Sequence, residues 1–192
     1  MTNLVLVGPP GAGKGTQAVR ICDKLEIPQI STGEIFRSAI RQGTELGQIA
    51  QGYISKGDLV PDEITDALVR ERLSEPDAKA GFLLDGYPRN LAQLAALDET
   101  LAELGAKLDV VVELDIPDEE IIARLIKRAK IENRADDTEE IIRHRIAVYH
   151  TDTEPITTAY TERGLLLKID GTGTIEEVTQ RIVSCIRKKL AK

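Results

Sequence analysis

Residues 8–14 read G-P-P-G-A-G-K, a G-x-x-x-x-G-K spacing. Glycines at such positions let backbone N–H groups turn inward around phosphate oxygens, and the positive end of a following helix adds to that field. Lys14 supplies a mobile charge for the outer phosphates. The Ser or Thr that usually follows the lysine, and whose hydroxyl holds magnesium, is replaced by Gly15, with Thr16 one position later. An apolar run, "LVLV", precedes the turn and a helical pattern, Lys14–Leu25, follows it. Strand, turn, lysine and helix therefore agree on phosphate binding, but they do not separate a kinase from a GTPase or an ATPase.

Further cations recur far from this loop. "STGEIFR" puts Ser31 and Thr32 at a helix start and Arg37 one turn in; the alternative is a simple N-cap with a solvated arginine. "GFLLDGYPRN" ends an apolar run at Asp85, then turns through Gly86, Tyr87 and Pro88 so that Arg89 is aimed across the same edge. A carboxylate there can hold water bound to Mg²⁺, and a planar guanidinium can grip a phosphate with two parallel bonds. The alternative is an Asp85–Arg89 structural pair.

Arg124 and Arg128 are four apart and share a helix face. Five residues separate Arg128 from Arg134, too few for a sizeable folded lid. Asp136 and Asp137 are expected to start the next helix, in capping-box register with Glu139 and Glu140. Arg145 lies two to three turns along it. Salt-bridged surface helices are the alternative here, and they describe Arg143. Two nucleotides meeting end to end need about as much neutralisation as Lys14, Arg37, Arg89, Arg124, Arg128, Arg134 and Arg145 supply together.

These residues need a scaffold. Apolar, β-branched runs occur at "NLVLVG", "GFLLDG", "LDVVVELDI" and "GLLLKIDG", with a shorter one at "IPQI". Helical patterns separate them, over Lys14–Leu25, 91–104, 118–130, 138–163 and Ile175–Leu190. Strands alternating with helices predict an α/β fold, with a parallel β-sheet covered by helices on both faces. The near-continuous "LVLV" and "VVVEL" suit strands buried on both sides. Residues 31–74 break the rhythm with helix after helix, a helical insertion. Ligands of open α/β sheets bind beyond the carboxyl ends of the strands, where these motifs fall.

The chain has 192 residues, enough for one domain with small insertions. Its net charge of −7 argues against a polyanionic partner, so no nucleic acid is expected. Aromatic residues are only 3% with no Trp, which leaves no row of rings for base stacking. No long apolar span is present, so no membrane is expected. Cys22 and Cys185 fall in helical patterns as free thiols, without a CxxC pair that would suggest structural zinc. His144 and His150 lie in a charged helix as solvated side chains. A cytoplasmic protein fits these features, and low aromatic content favours a monomer.

Over essentially its whole length the sequence resembles the adenylate kinase family. The motifs that carry the resemblance are "GPPGAGKGTQA", "PQISTGE", "GFLLDGYPR", "RLIKR" and "NRADDTEE". The family writes its loop G-K-G-T, which accounts for Gly15. The resemblance implies a single nucleoside monophosphate kinase domain over residues 1–192. It has a P-loop nucleoside triphosphate hydrolase-like core, a helical monophosphate-binding insertion at 31–60 and a short lid at 128–138. It implies Mg-ATP in the loop, at Gly11, Ala12, Gly13, Lys14, Gly15 and Thr16, with Arg124 and Arg128 alongside and the Gly173 backbone at its adenine. AMP is implied under the insertion, at Thr32, Arg37, the backbone of Asp58, Leu59 and Val60, and Gly86, Tyr87, Pro88, Arg89 and Gln93. Arg134 and Arg145 bridge toward the transferring group, and Asp85 holds Mg²⁺ through water. Zinc is not implied, because the short lid lacks the cysteines that some members carry.

Phosphoryl transfer, ATP + AMP ⇌ 2 ADP, is the expected reaction, with positioning and charge stabilisation rather than a general base. Relatives that act on UMP and CMP tend to carry Ala at the Thr32 position and Asn at the Gln93 position, so both residues point to AMP. The Gln93 amide can donate and accept at once, matching the N1 and amino edge of adenine. A GTP-dependent switch would need an Asn-Lys-x-Asp segment, and the nearest match, "AKLD", has Ala106 in place of the Asn. A non-catalytic nucleotide-binding module would be expected to lack one of the seven cations, and all seven are present in the sequence.

Overall fold

A computed structural model describes residues 2–132 and 138–191, and excludes the side chains of 130–132. Five strands form one parallel sheet: β1 (Thr2–Val7), β2 (Gln29–Ser31), β3 (Gly81–Asp85), β4 (Val110–Asp115) and β5 (Leu166–Asp170), in the order β2-β3-β1-β4-β5. The order reverses at β1, which pairs with β3 on one side and β4 on the other. The crevice beyond the carboxyl end of β1 is therefore the switch point at which such sheets take ligands.

Strand residues alternate between two cores. Leu4, Leu6, Val110, Val112 and Leu114 pack under α1 (Lys14–Leu25) and α9 (Ile175–Leu190) with Ile21, Ile182 and Ile186. Val5, Val7, Phe82, Leu84 and Val111 face Leu94 and Leu97 of α5 (Leu91–Glu103) and Ile156 and Tyr160 of α8 (Glu154–Glu162). Apolar groups on both faces explain why these strands read as continuous runs. A third, smaller core joins Phe36 of α2 (Thr32–Gln42), Ala50 of α3 (Glu45–Ile54) and Val60, with Ile64 and Leu68 of α4 (Asp62–Leu73) beside it.

Two local expectations are corrected. The pattern over 138–163 is not one helix. It comprises α7 (Glu139–Val148), a π-helical turn (Tyr149–Thr153) and α8. Pro155 has no N–H for the ladder, and the Glu154 N–H reaches the Tyr149 carbonyl five residues back. Second, α7 is capped by Thr138, whose hydroxyl accepts the Ile141 N–H at 3.4 Å. The expected caps Asp136 and Asp137 lie outside the described residues, as does Arg134. The helix before this segment, α6, runs from Asp118 to Glu132.

Candidate active site

The turn after β1 depends on backbone that side chains disfavour. Gly11 has φ +80°, and a Cβ there would come within 2.7 Å of Leu125. Gly13, at φ +90°, caps α1 without any side-chain bond, whereas Ser31, Thr44, Asn90, Thr138 and Thr174 cap their helices with side-chain oxygens. The first N–H groups of α1 thus have no side-chain cap, as a helix that accepts an anion requires. Lys14 folds back on the turn, and its ammonium donates to the carbonyls of Gly8 (2.7 Å) and Pro9 (2.8 Å). Burial drives its pKa down to about 7; Asp85 opposes the shift, and Arg89, Arg145 and Arg128 add to it.

Asp85 ends β3 as a buried carboxylate, and its Oδ2 lies 3.4 Å from the Gln29 amide. A Cβ on Gly15 would meet only that oxygen, at 3.8 Å. The loop and the carboxylate therefore face each other with no side chain on Gly15 between them. After Gly86 the chain crosses a cis Tyr87–Pro88 peptide. The Tyr87 ring turns into the core, with its hydroxyl 2.6 Å from Asp66 Oδ1, and Tyr87 lines none of the three cavities described below.

Arg89 is fixed at three points. Its N–H donates to Gln93 Oε1 (2.8 Å), its Nε donates to the Gly86 carbonyl (2.8 Å), and its carbonyl accepts from Thr153 Oγ1 (2.8 Å). Thr153 was not anticipated. It sits in the π-helical turn, 64 residues from its partner, and helical periodicity holds no signal for that meeting.

Three adjoining cavities open on this edge. The first, of about 560 Å³, is lined by Thr32, Phe36, Arg37, Asp58, Leu59, Val60 and Gln93. The second, of about 540 Å³, lies between the glycine-rich turn, Pro88 and Thr153. The third is a cleft of about 1400 Å³ over the turn, bordered by Lys14, Thr16, Asp85, Arg37, Arg124 and Arg128. Gly86, Arg89 and Arg145 line all three. Six of the seven expected cations thus border one cleft, and the seventh, Arg134, is outside the described residues.

Several expected residues also make contacts of their own. Arg124 donates toward Ala12 O (3.5 Å) and Gly171 O (3.2 Å), tying α6 to the glycine-rich turn, and pairs with Glu120. Ala12 is itself buried. Gly173 lines none of the three cavities; a Cβ there would meet Glu177 of α9 at 2.9 Å. Arg37 shares Glu34 with Arg41, and those contacts hold the Glu34 carboxyl below its usual range, the Arg41 hydrogen bond most of all. Both histidines are exposed as expected, but each is paired: His144 with Asp58 at 2.7 Å, and His150 with Glu154 and Asp118. Arg143 pairs with Glu139 on the surface.

Comparison with known proteins agrees with this geometry. The family model described as adenylate kinase matches residues 6–165. A protein named adenylate kinase from Thermobifida fusca is 61% identical over 186 residues, covering 97% of this chain and 98% of its own length. One of the same name from Micrococcus luteus is 54% identical, covering 97% and 91%. Another from Kocuria rhizophila is 50% identical over 188 residues, covering 98% and 100%. With its glycine-rich turn, its switch-point cleft and these full-length relatives, the chain belongs to the adenylate kinase family.

Proposed function

We propose that this chain transfers the terminal phosphoryl group of Mg-ATP to AMP, giving two ADP. The observation that carries this reading is the sharing of Arg89 and Arg145 by the cleft over the glycine-rich turn and the cavity under the insertion. Two phosphate-bearing ligands in those spaces would meet at the two guanidiniums.

ATP lies along residues 11–16 with Arg124 and Arg128 beside its phosphates and Gly173 near its base. AMP lies under residues 31–60, its phosphate on Arg37 and Arg89 and its base near Thr32, Gln93 and the backbone of 58–60. Arg145 spans the transferring group. A phosphate oxygen of AMP, already ionised, attacks the γ-phosphorus in line. The bond to the β-bridging oxygen breaks, and its electron pair leaves with ADP. No proton has to be removed, so no general base is assigned. Lys14 and the arginines stabilise charge on the equatorial oxygens.

Asp85 fits a role toward Mg²⁺. It is buried, acceptor-only when ionised, and faces Gly15 across an open gap. It would hold the hydrated ion, which when bound supplies charge neutralisation to the ATP phosphates. Residues 31–60 act as a closing part that excludes water. We read the enzyme as a cytoplasmic monomer without nucleic acid or membrane partners. Net charge supports the former, and among the described residues no helix is long and apolar enough to cross a membrane.

Label in the γ-phosphate of ATP tests direct transfer. It is expected in the β-position of ADP formed from AMP, with negligible release of inorganic phosphate. Release of most label as free phosphate would replace transfer by hydrolysis.

A further inference from the structure

Gln93 is 2% exposed, yet it lines the cavity assigned to AMP. Its side-chain amide is already engaged. Oε1 accepts the Arg89 N–H at 2.8 Å, and Nε2 donates to Asp62 Oδ1 at 2.8 Å. An amide oxygen accepts two bonds and an NH₂ group donates two. One acceptor position and one N–H remain, with fixed polarity. A flipped amide would set its NH₂ against the Arg89 N–H and its oxygen against the Asp62 carboxylate, two repulsions in a buried site.

Asp62 is itself held in place. It is the first residue of α4, where a carboxylate favours the helix N-terminus. The Asn90 amide donates to its two oxygens at 3.0 and 3.2 Å. Asn90 in turn caps α5 by accepting the Gln93 N–H at 2.8 Å. The carboxylate thus reaches Gln93 from a separate helix and lines none of the three cavities described above.

We propose that Asp62 is a positioning residue for base selection: it locks the polarity of the Gln93 amide so that the site takes 6-aminopurine and rejects 6-oxopurine monophosphates. Adenine presents an N6 donor and an N1 acceptor, which the locked amide matches. Hypoxanthine presents an O6 acceptor and an N1–H donor and needs the flipped amide. The inference rests on Gln93 reading the base.

The test compares kcat/KM for AMP and IMP in the parent, Asp62→Ala, Asp62→Asn and Gln93→Ala. A hydrogen bond to a charged group is strong enough that its loss should lower the AMP-to-IMP ratio by about tenfold in Asp62→Ala. Asp62→Asn keeps an oxygen for the Gln93 N–H and should stay within about threefold of the parent ratio. Asp62→Leu, also without an acceptor, gives the same readout should the alanine variant fold poorly. A purely structural role would instead lower activity with both acceptors together and leave the ratio unchanged, which would overturn the proposal. If Gln93→Ala collapses the ratio and Asp62→Ala does not, the Asp62 inference fails alone. If Gln93→Ala leaves the ratio intact, the base-reading role fails and the inference fails with it.

Discussion

Arg89→Ala is expected to lower kcat/KM for AMP by about a thousandfold, the scale of losing an arginine at a transferring phosphoryl group. The Kd for ATP should change by less than about threefold, because the glycine-rich turn, Lys14 and Arg124 are untouched. The variant should fold. The bonds from Arg89 N–H to Gln93 and from Thr153 to Arg89 O are made by the backbone and survive the substitution, while the side-chain Nε bond to Gly86 O is lost. Steady-state ADP formation with varied AMP, beside calorimetric titration with ATP, separates the two quantities. Unchanged ADP formation would remove Arg89 from the phosphate site, and an equal loss of ATP binding would show a collapsed cleft.

Lys14→Met should cost about a thousandfold in turnover while leaving the fold intact. The lysine carries the only ammonium among the six cations that border the cleft, and its stem reaches from the first residue of α1 back over the turn. Its pKa of about 7 lies below the ordinary 10.5, so the folded state disfavours its charged form. That cost is complete below pH 7, shrinks as pH rises from about 7, and is gone above about 10.5, where both folded and unfolded chains carry it neutral. Lys14→Met should therefore melt higher than the parent at pH 6, with the difference closing toward alkaline pH.

The same shift gives ATP binding a proton signature. Phosphate favours the ammonium, so binding above pH 7 takes up a proton at Lys14, and ATP affinity falls as pH rises through 7 to 9. Calorimetry in two buffers of different ionisation enthalpy should show uptake approaching one proton at pH 8 in the parent, and none from this group in Lys14→Met. Equal uptake in both proteins would assign the proton elsewhere.

What the sequence disclosed was local. The spacing of Gly8, Gly13 and Lys14 marks a cradle because the backbone conformations and the lysine lie within one turn of each other. Asp85 and Arg89 were legible for the same reason, as a strand end followed by a tight turn. Arg37, Arg124 and Arg128 could be placed on helix faces from their spacing, although their convergence on one cleft follows only from the sheet order. Bonds between distant elements left no trace in periodicity. Thr153 reaches Arg89 only because the helix widens before Pro155, and Asp62 meets Gln93 only because α4 packs beside α5. The sequence led to Gln93 being expected to contact the base, but it held no sign that the amide's orientation is already set by Arg89 and Asp62.

The segment "AKLD" shows the value of topology in the other direction. Lys107 and Asp109 bond to Asn3, at the start of β1. They therefore lie at the opposite end of the sheet from the glycine-rich turn, where they could not read a guanine held beside it. Placement adds to the missing Asn in excluding a GTP-dependent switch.

A second nucleotide, with an adenine base, is proposed to face ATP across Arg89 and Arg145. ADP formation from Mg-ATP with AMP, UMP, CMP or GMP, one acceptor at a time, tests it most directly. Rapid turnover with AMP and slow turnover with the other three is the predicted result. Preference for UMP or CMP would keep the two-site cleft and contradict the base assignment to Thr32 and Gln93, and no turnover with any acceptor would exclude phosphoryl transfer between the two sites.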